Sequence, residues 1–424
     1  MLAILGVSAS AEARVPPSQD PFYHYDGGTP LEDIAPGTVL KTRTIPYHVL
    51  GFPLPVKTTQ LLYRSTGQIG QATVNVTSIV EPAFNFGRKK LVSYQSYYDT
   101  LNPDDEPSYA ISGGLTFGGL IPNVESILIS PLLSKGYTIV IPDTQGQQAN
   151  LAAGHEYAFN TLDSVRATFN SPAVGLPADT KVVLIGFSGG AIATEWAAEL
   201  APSYAPDVDK RVIGYSMGGV FVHPMHNLHY VDGSLGWSGL VPAALVGIFR
   251  SYGLDPTPYL NDHGKLLVDR IQKASILNLL FQYPGLTWES IAKPEYAQAE
   301  KIPVLVEILN DLIMGTGGGT PSAPMLIRQN AGGEAEGSRG DKPGIGLGDG
   351  VMIAGDVRSL ARDYCARGVE IEYRENRLLS HIPSTIAWSV ETIPWVEDRF
   401  ANRPVVNDCA QIQPGNSLAP TPAP

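Results

Sequence analysis

The sequence predicts an α/β fold with a mostly parallel sheet and an inserted helical cap. Three observations support this prediction: strand and helix patterns alternate up to residue 219, the alternation stops over residues 220–320, and it resumes from residue 321. Strands that alternate with helices along a chain tend to pair in parallel, with helices covering both faces of the sheet. We therefore expect a core built from residues 21–219 and 321–410 and a cap built from residues 220–320.

The elements follow in chain order. Alternating apolar residues predict strands within 70–99, and the first core segment then continues with a helix at 126–136, a strand at 137–143, a helix at 154–169 and a strand at 181–185. The cap shows helical patterns at 238–253 and 261–281 without a credible strand. The second core segment has a strand at 323–329, a helix at 357–368, a strand at 369–375 and a helix beginning near Ser384.

Composition excludes several classes of protein. The chain has 424 residues, of which 43% are hydrophobic and 17% charged, so it can bury a large core. Its net charge of −12 provides no basic surface for a phosphate backbone, which argues against nucleic acid as a partner. No apolar run is long enough to span a membrane. The composition leaves the oligomeric state open.

The two ends of the chain and its cysteines suggest a secreted protein. Residues 1–13 combine a short apolar run with Ala11-Glu12-Ala13, which resembles the end of a signal peptide that lacks its basic start. Cys365 and Cys409, the only cysteines, are expected to form a disulfide in an exported chain. The proline-rich residues 411–424 are expected to be a disordered tail.

Two segments match the pattern Gly-x-Ser-x-Gly, IGFSGGAIATEW at 185–196 and IGYSMGGVFVHP at 213–224. A nucleophilic serine of this type stands on a tight turn between a strand and a helix. Good helix formers follow Ser188 up to Pro202, whereas β-branched residues and a proline follow Ser216. The sequence therefore favours Ser188 as the nucleophile.

A serine nucleophile needs a base and a carboxylate that orients the base. Of eight histidines, only His381 follows the cap, in a short loop after the last predicted strand. Asp349 is the preferred acid because it directly precedes the approach to a helix, whereas Asp356 resembles the N-cap of that helix. The acids between the strand at 323–329 and the helix at 357–368 are Glu334, Glu336, Asp341, Asp349 and Asp356.

Four features together resemble the secretory lipase family of yeasts and actinobacteria, the lipase A type. They are GFSGGAIATEWAAELAPSYAP at 186–206, YYDT at 97–100, GDGVMIAGDVRSLARDYCARG at 348–368, and His381. The resemblance implies an α/β-hydrolase core with a helical cap, hydrolysis of carboxylic esters, often those of lipids, and Asp349 as the acid of the triad. It also implies an oxyanion hole formed by the Gly189 N–H and Asp99. Residues 330–348 form a longer glycine-rich link before Asp349 than this family usually has.

Other site chemistries are less well supported. The motif GIGLGDG at 344–350 has no strand-turn-helix around it, so no dinucleotide is expected, and no other cofactor is implied. The imidazoles of His223, His226 and His229 could bind zinc, but the loop that carries them provides no preset geometry, and we expect no metal.

The expected reaction is ester hydrolysis through an acyl-enzyme. The uncharged segment 240–249 either packs on the core or lines an acyl pocket, and the cap could make transient contact with a lipid surface. A short-chain esterase or acyltransferase is the main alternative, and a peptidase or a non-catalytic binding protein on the same fold is less favoured.

Overall fold

The computed structural model describes residues 14–84 and 89–424, and within them one sheet of nine strands forms the centre of the molecule. The expected signal remnant at residues 1–13 lies outside the described residues. The strands are β1 (Val39–Val49), β2 (Phe52–Thr66), β3 (Ala72–Val80), β4 (Lys90–Gln95), β5 (Tyr137–Pro142), β6 (Val182–Phe187), β7 (Val212–Gly218), β8 (Met325–Asn330) and β9 (Ile371–Asn376).

Helices cover both faces of this sheet and form the segment above it. They are α1 (Pro107–Ile111), α2 (Leu120–Ser134), α3 (Gly154–Asn170), α4 (Gly189–Tyr204), α5 (Pro206–Asp209), α6 (Pro224–Val231), α7 (Leu240–Ser251), α8 (Asp262–Ile271), α9 (Ile276–Leu279), α10 (Trp288–Ile291), α11 (Pro303–Asp311), α12 (Ala354–Ala366) and α13 (His381–Phe400). Within the described ranges, no helix has both the length and the apolarity that crossing a membrane requires.

The sheet is parallel over most of its width. Its order is β1-β2-β3-β5-β4-β6-β7-β8-β9, with β1, β2 and β3 antiparallel and all pairs from β5 to β9 parallel. Successive residues of β6 point to opposite faces, so Val183 packs with α2 and α13 while Leu184 packs with α3 and α4. The mixed α/β fold with a mostly parallel sheet was predicted correctly.

The long hairpin β1-β2 was not predicted. Leu50 and Gly51 connect its strands with positive φ angles of 50° and 78°, which is the backbone of the two-residue turn that matches the twist of a hairpin. Pro46, Pro53 and Pro55 lie in the two strands near this turn. Proline is unusual in strands, and its presence here obscured the alternating pattern.

The segment between Val220 and Thr320, which the structure describes in full, contains α6 to α11 and no strand. The helix expected over 261–281 is two helices, because the chain breaks after α8 and Ser275 begins α9 as the N-terminal residue of a capping box with Asn278. The Ile276 N–H then donates to the Asp99 carbonyl at 2.7 Å. This contact attaches the helical segment to the loop that follows β4.

The predicted disulfide joins Cys365 in α12 to Cys409, 44 residues later. Its loop encloses β9 and α13, so the disulfide connects the two ends of the last part of the core.

Replacing both cysteines by serine is expected to lower the free energy of unfolding by about 4 kcal/mol, because the open loop regains conformational entropy in the unfolded chain. Urea unfolding at fixed pH measures the change. A reducing agent should destabilise the parent protein by a similar amount and leave the double variant unaffected. Equal unfolding curves for parent and double variant would contradict the expectation.

Residues 411–424 differ from the expectation of a disordered tail. They form no helix or strand, but the Asn416 side chain donates to Asp356 at 2.7 Å, and the Thr421 backbone exchanges two hydrogen bonds with the Asn310 side chain. The prolines of this segment disfavour helix and strand because they lack a backbone N–H. The polar residues between them still form hydrogen bonds with α11 and α12.

Candidate active site

Ser188 stands on the sharp turn between β6 and α4. β6 ends at Phe187, α4 begins at Gly189, and Ser188 itself has φ 53° and ψ −119°. This region is unfavourable for any residue with a Cβ and is characteristic of residues at functional sites. The turn lifts the serine hydroxyl out of the sheet, as the pattern after Ser188 predicted.

The glycines around Ser188 permit close packing of strand and helix. A Cβ added to Gly186 would lie 2.1 Å from the Gly190 carbonyl oxygen, and one added to Gly190 would lie 2.1 Å from the Gln95 carbonyl oxygen. Both distances are far below van der Waals contact, so only glycine fits at either position.

Ser216 has an entirely different environment. It lies within β7, fully buried, with its hydroxyl bonded to Thr392 of α13 at 2.7 Å and accepting from the Trp388 indole N–H at 3.2 Å. No substrate can reach this hydroxyl while α13 covers it. The second Gly-x-Ser-x-Gly segment is therefore part of the core.

His381 lies beside Ser188 and is the first residue of α13. The sequence had placed it in a loop with the helix beginning near Ser384, and the helix in fact begins three residues earlier. Pro383 occupies the first turn, where its missing N–H removes no helical hydrogen bond. The distance from His381 Nε2 to Ser188 Oγ is 2.8 Å.

Asp349 completes a chain of hydrogen bonds. Its Oδ2 lies 2.9 Å from His381 Nδ1, and its Oδ1 accepts from the backbone N–H groups of Val351 and Met352 at 3.1 and 2.8 Å. The Asp349 side chain is completely buried. Such a chain holds the imidazole so that its Nε2 can take the hydroxyl proton.

The other candidate acids are located elsewhere. Asp356 lies inside the first turn of α12 rather than at its N-cap, and it binds His226 at 3.1 Å. Glu334 and Asp341 are exposed. Glu336 is buried near His381 without a hydrogen bond to its ring, and it accepts from the indole N–H of Trp237 at 2.8 Å. Trp237 was not singled out in the sequence, since nothing in its local pattern indicates this contact.

Opposing effects act on the His381 imidazole. Burial favours the neutral form, but the charge and hydrogen bond of Asp349, with smaller contributions from the charges of Glu336 and Asp99, raise the pKa of His381 above its ordinary value. A raised pKa makes the imidazole a stronger base for the hydroxyl proton. The Phe187 and Trp237 rings, with centroids 5.0 and 5.2 Å from that of His381, enclose it.

Asp99 lies directly against Gly189. A Cβ added to Gly189 would be 1.9 Å from Asp99 Oδ1, so the side chain approaches the backbone where only glycine fits. Burial raises the pKa of Asp99 to about 7, although the His381 charge and the Gly189 N–H partly oppose this shift. Near neutral pH a large fraction of Asp99 therefore carries a proton and can donate a hydrogen bond.

A cavity of about 570 Å³ opens beside these groups. Ser188, Gly189, Asp99 and His381 line one part of it, and the remaining lining is almost entirely apolar. Apolar residues from α7 and α11 contribute to the wall, namely Leu240, Val241, Ala244, Leu245, Ile248, Leu305 and Leu309. Phe249 is buried behind this wall against Tyr259. Segment 240–249 thus both packs on the core and lines the cavity.

The three histidines of 223–229 do not converge on one point. His223 and His226 stack with ring centroids 3.7 Å apart, His226 binds Asp356, and His229 binds Glu300 at 2.6 Å. Across residues 14–84 and 89–424, no three His, Cys, Asp or Glu side chains are arranged to hold a metal ion.

Comparison with known proteins identifies the family of this chain. The secretory lipase family model matches residues 114–335 and 344–408. Lipase 4 of Candida albicans is 30% identical over 407 residues, which cover 94% of this chain and 84% of that protein. The "Probable inactive lipase" of Mycobacterium tuberculosis is 29% identical over 396 residues, covering 92% of this chain and 84% of the relative.

A solved structure resembles the whole fold. The X-ray structure of Candida antarctica lipase A superimposes with a TM-score of 0.80 and 25% sequence identity, covering 97% of this chain and 92% of that one. The α/β-hydrolase fold expected from the sequence is thereby confirmed.

Proposed function

The chain belongs to the secretory lipase family, and from that premise we propose that it is a secreted serine hydrolase acting on lipid esters. The family and its relatives support a lipase-type carboxylic ester hydrolase. The observation that carries the finer proposal is the hydrogen-bonded series of Ser188, His381 and Asp349 at one end of an apolar cavity. One relative is named a probable inactive lipase, so family membership alone does not imply activity. In this chain Ser188, His381 and Asp349 are all present and joined by hydrogen bonds, which supports activity.

In the proposed reaction Ser188 Oγ attacks the ester carbonyl carbon while His381 Nε2 takes its proton. The tetrahedral intermediate collapses, the carbon–oxygen bond to the alcohol breaks, and the imidazolium gives its proton to the departing alcohol. Asp349 holds the imidazole and stabilises its charged form. Water, activated by His381, then attacks the acyl-enzyme and releases the acid and Ser188.

The negative oxygen of the intermediate needs donors. We assign this role to the Gly189 N–H, which lies at the N-terminus of α4, and to Asp99 in its protonated form. Each such donor contributes about 3 to 4 kcal/mol to transition-state stabilisation in comparable sites. In the resting site Asp99 Oδ1 lies directly against Gly189, so the carboxyl group must shift to leave the Gly189 N–H to the substrate oxygen.

The cavity favours acyl chains longer than acetate. Each methylene moved from water to an apolar wall gains about 0.8 kcal/mol, or roughly fourfold in kcat/KM. We predict that kcat/KM for p-nitrophenyl esters rises from C2 to at least C8. A rate that is highest at C2 and falls with every added carbon would instead indicate a short-chain esterase.

A charge on the cavity wall should remove that preference. Leu245→Asp is expected to reduce hydrolysis of the C8 ester much more than that of the C2 ester, since Leu245 belongs to the apolar lining of the cavity. Leu266→Asp is the matched control, because Leu266 lies on α8, is 66% exposed and does not line the cavity. Equal losses on both esters would contradict an acyl pocket at this wall.

The cavity mouth carries an exposed apolar surface, which we call the mouth surface. It consists of Val124 and Ile127 on α2 and Ile382, Ile386 and Val390 on α13, and all but Val390 also line the cavity. Exposed apolar surface at the entrance of a binding site indicates contact with an apolar partner. We assign the expected lipid contact to these two core helices rather than to the cap.

The charges around the mouth surface favour an uncharged lipid. The single charged residue of α2, Glu125, is buried, and no Lys, Arg, Asp or Glu occurs in α13 before Glu391. The chain carries a net charge of −12, which repels an anionic bilayer. A neutral surface, such as an emulsion of uncharged esters, suits this region best.

Val390→Asp is expected to weaken binding to neutral lipid emulsions severalfold while leaving hydrolysis of a soluble C4 ester nearly unchanged, because Val390 is 66% exposed and does not line the cavity. The measurements are co-flotation of the protein with the emulsion on centrifugation and the rate of hydrolysis of the soluble C4 ester. Ile69→Asp, in the β2-β3 turn at 60% exposure, is the control. Loss of a dimer without any change in emulsion binding would assign the mouth surface to self-association instead.

One panel of assays tests the function itself. Fluorophosphonate labelling together with p-nitrophenyl esters from C2 to C18 should give a labelled, ester-hydrolysing protein. Aminoacyl anilides distinguish a peptidase, and an added alcohol as acceptor distinguishes an acyltransferase. A folded protein that neither reacts with the fluorophosphonate nor hydrolyses any ester would be a binding protein on this fold.

A further inference from the structure

We propose that Glu336 is a positioning residue for His381, a second buried carboxylate that connects the helical segment above the sheet to the first turn of α13. The inference rests on the proposed function of the triad and extends it. Residues 336–343 fall between the two segments that match the secretory lipase model, so this carboxylate lies outside the matched pattern. The glycine-rich link 330–348 thus has an assigned role at the site.

The two carboxylate oxygens of Glu336 have different partners. Oε2 accepts from the Trp237 indole N–H at 2.8 Å, and Oε1 accepts from the Ile382 backbone N–H at 3.0 Å. Trp237 in turn contacts the His381 ring edge to face, with centroids 5.2 Å apart at 85°. Glu336, Trp237 and His381 are all buried, so solvent does not compete for these contacts.

The start of α13 shows why a carboxylate is needed. Ser380, the N-cap residue, makes no side-chain capping bond. The His381 N–H donates to the Asp349 carbonyl at 2.6 Å, and Pro383 has no N–H to satisfy. Ile382 therefore carries the remaining donor of this turn, and Glu336 accepts from it. A negative group at a helix N-terminus also interacts favourably with the helix dipole.

The charges that face His381 come from three segments. Asp349 contacts the ring, Asp99 approaches from the loop after β4, and Glu336 approaches from the link. Each carboxyl group favours the imidazolium form when it is ionised. Glu336 differs from the other two because it also fixes an aromatic neighbour of the ring. Its removal should therefore alter both the position of the imidazole and its titration.

Glu336→Gln keeps the size of the side chain and removes the charge. One amide oxygen cannot serve both donors, so kcat for a soluble C4 ester is expected to fall about tenfold, with KM changing less than about twofold. The His381 pKa should fall, because a negative neighbour is lost, and the acid limb of kcat/KM should move to lower pH. Nuclear magnetic resonance of labelled histidine measures the same titration without any catalysis.

Three further variants make the test decisive. Glu336→Asp keeps the charge but is too short for both donors, so kcat should fall while the acid limb stays in place. Trp237→Phe, useful if Glu336→Gln does not fold, should likewise lower kcat severalfold without moving the acid limb. Glu334→Gln removes an exposed charge from the same turn and should change neither kcat nor the acid limb of kcat/KM.

The outcomes distinguish failure of the proposed role of Glu336 from failure of the proposed ester hydrolysis. Folded Glu336→Gln with the parent kcat and the parent His381 titration would overturn the role of Glu336, and so would Trp237→Phe with the parent kcat. An inactive parent protein whose His381 pKa still falls on Glu336→Gln substitution would support this role while refuting ester hydrolysis.

Discussion

Ser188→Ala is expected to abolish ester hydrolysis, with a loss in kcat of about 10⁶-fold, because no other hydroxyl of residues 14–84 and 89–424 bonds His381 Nε2. Loss of a nucleophile removes the covalent route entirely, and only the oxyanion donors and substrate binding then accelerate the reaction. Initial rates with the C4 and C8 p-nitrophenyl esters measure the effect. The variant should remain folded, since Ser188 makes no capping hydrogen bond in α4.

Ser216→Ala is the matched control, a serine in the same Gly-x-Ser-x-Gly pattern. It removes the hydroxyl that bonds Thr392 and Trp388 in the core, so it should lower stability by about 1 kcal/mol and leave kcat nearly unchanged. Peptide mapping after fluorophosphonate treatment of the parent should place the adduct on Ser188. An adduct on Ser216 would reverse the assignment.

Asp349→Asn is expected to reduce kcat by about 10⁴-fold while leaving the backbone in place. The amide can donate to His381 Nδ1, which forces the ring proton onto Nε2, the nitrogen that must accept the proton of Ser188. The effect therefore comes from the wrong tautomer rather than from lost packing. Rates measured from pH 6 to 9 should remain low throughout, because no change of pH restores the tautomer.

Asp356→Asn provides the comparison, since Asp356 also binds a histidine, His226, at 3.1 Å. Asp356 is buried in α12 and bonds the tail through Asn416, so its replacement should affect stability and leave kcat intact. If Asp356→Asn were the inactive variant and Asp349→Asn the active one, the acid would have to be reassigned.

Local pattern was sufficient for some parts of the structure and insufficient for others. The elbow at Ser188 was predictable because strand, turn and helix residues follow one another without a break. The start of α13 was not, because the Ser380 side chain makes no capping bond and the N–H groups of His381 and Ile382 are satisfied by Asp349 and Glu336 from another part of the chain. Contacts of this kind are absent from a sequence pattern.

Tertiary packing also decided between similar residues. Five acids stood within one short region, and the sequence preferred Asp349 from its position before a helix and from family resemblance. Only the fold separates its direct bond to His381 from the indirect contact of Glu336 through Trp237. In the hairpin β1-β2, the pairing of two long strands outweighs three prolines that individually disfavour a strand.

The backbone conformation of Ser188, which suits the proposed nucleophile, lowers the stability of the fold. Holding a residue with a Cβ at φ 53° and ψ −119° costs about 1 to 3 kcal/mol, which the rest of the fold must supply. Glycine would relieve this strain, although its greater freedom in the unfolded chain returns part of the gain. A descendant freed from selection for hydrolysis would therefore drift towards glycine here and become more thermostable as it lost its chemistry.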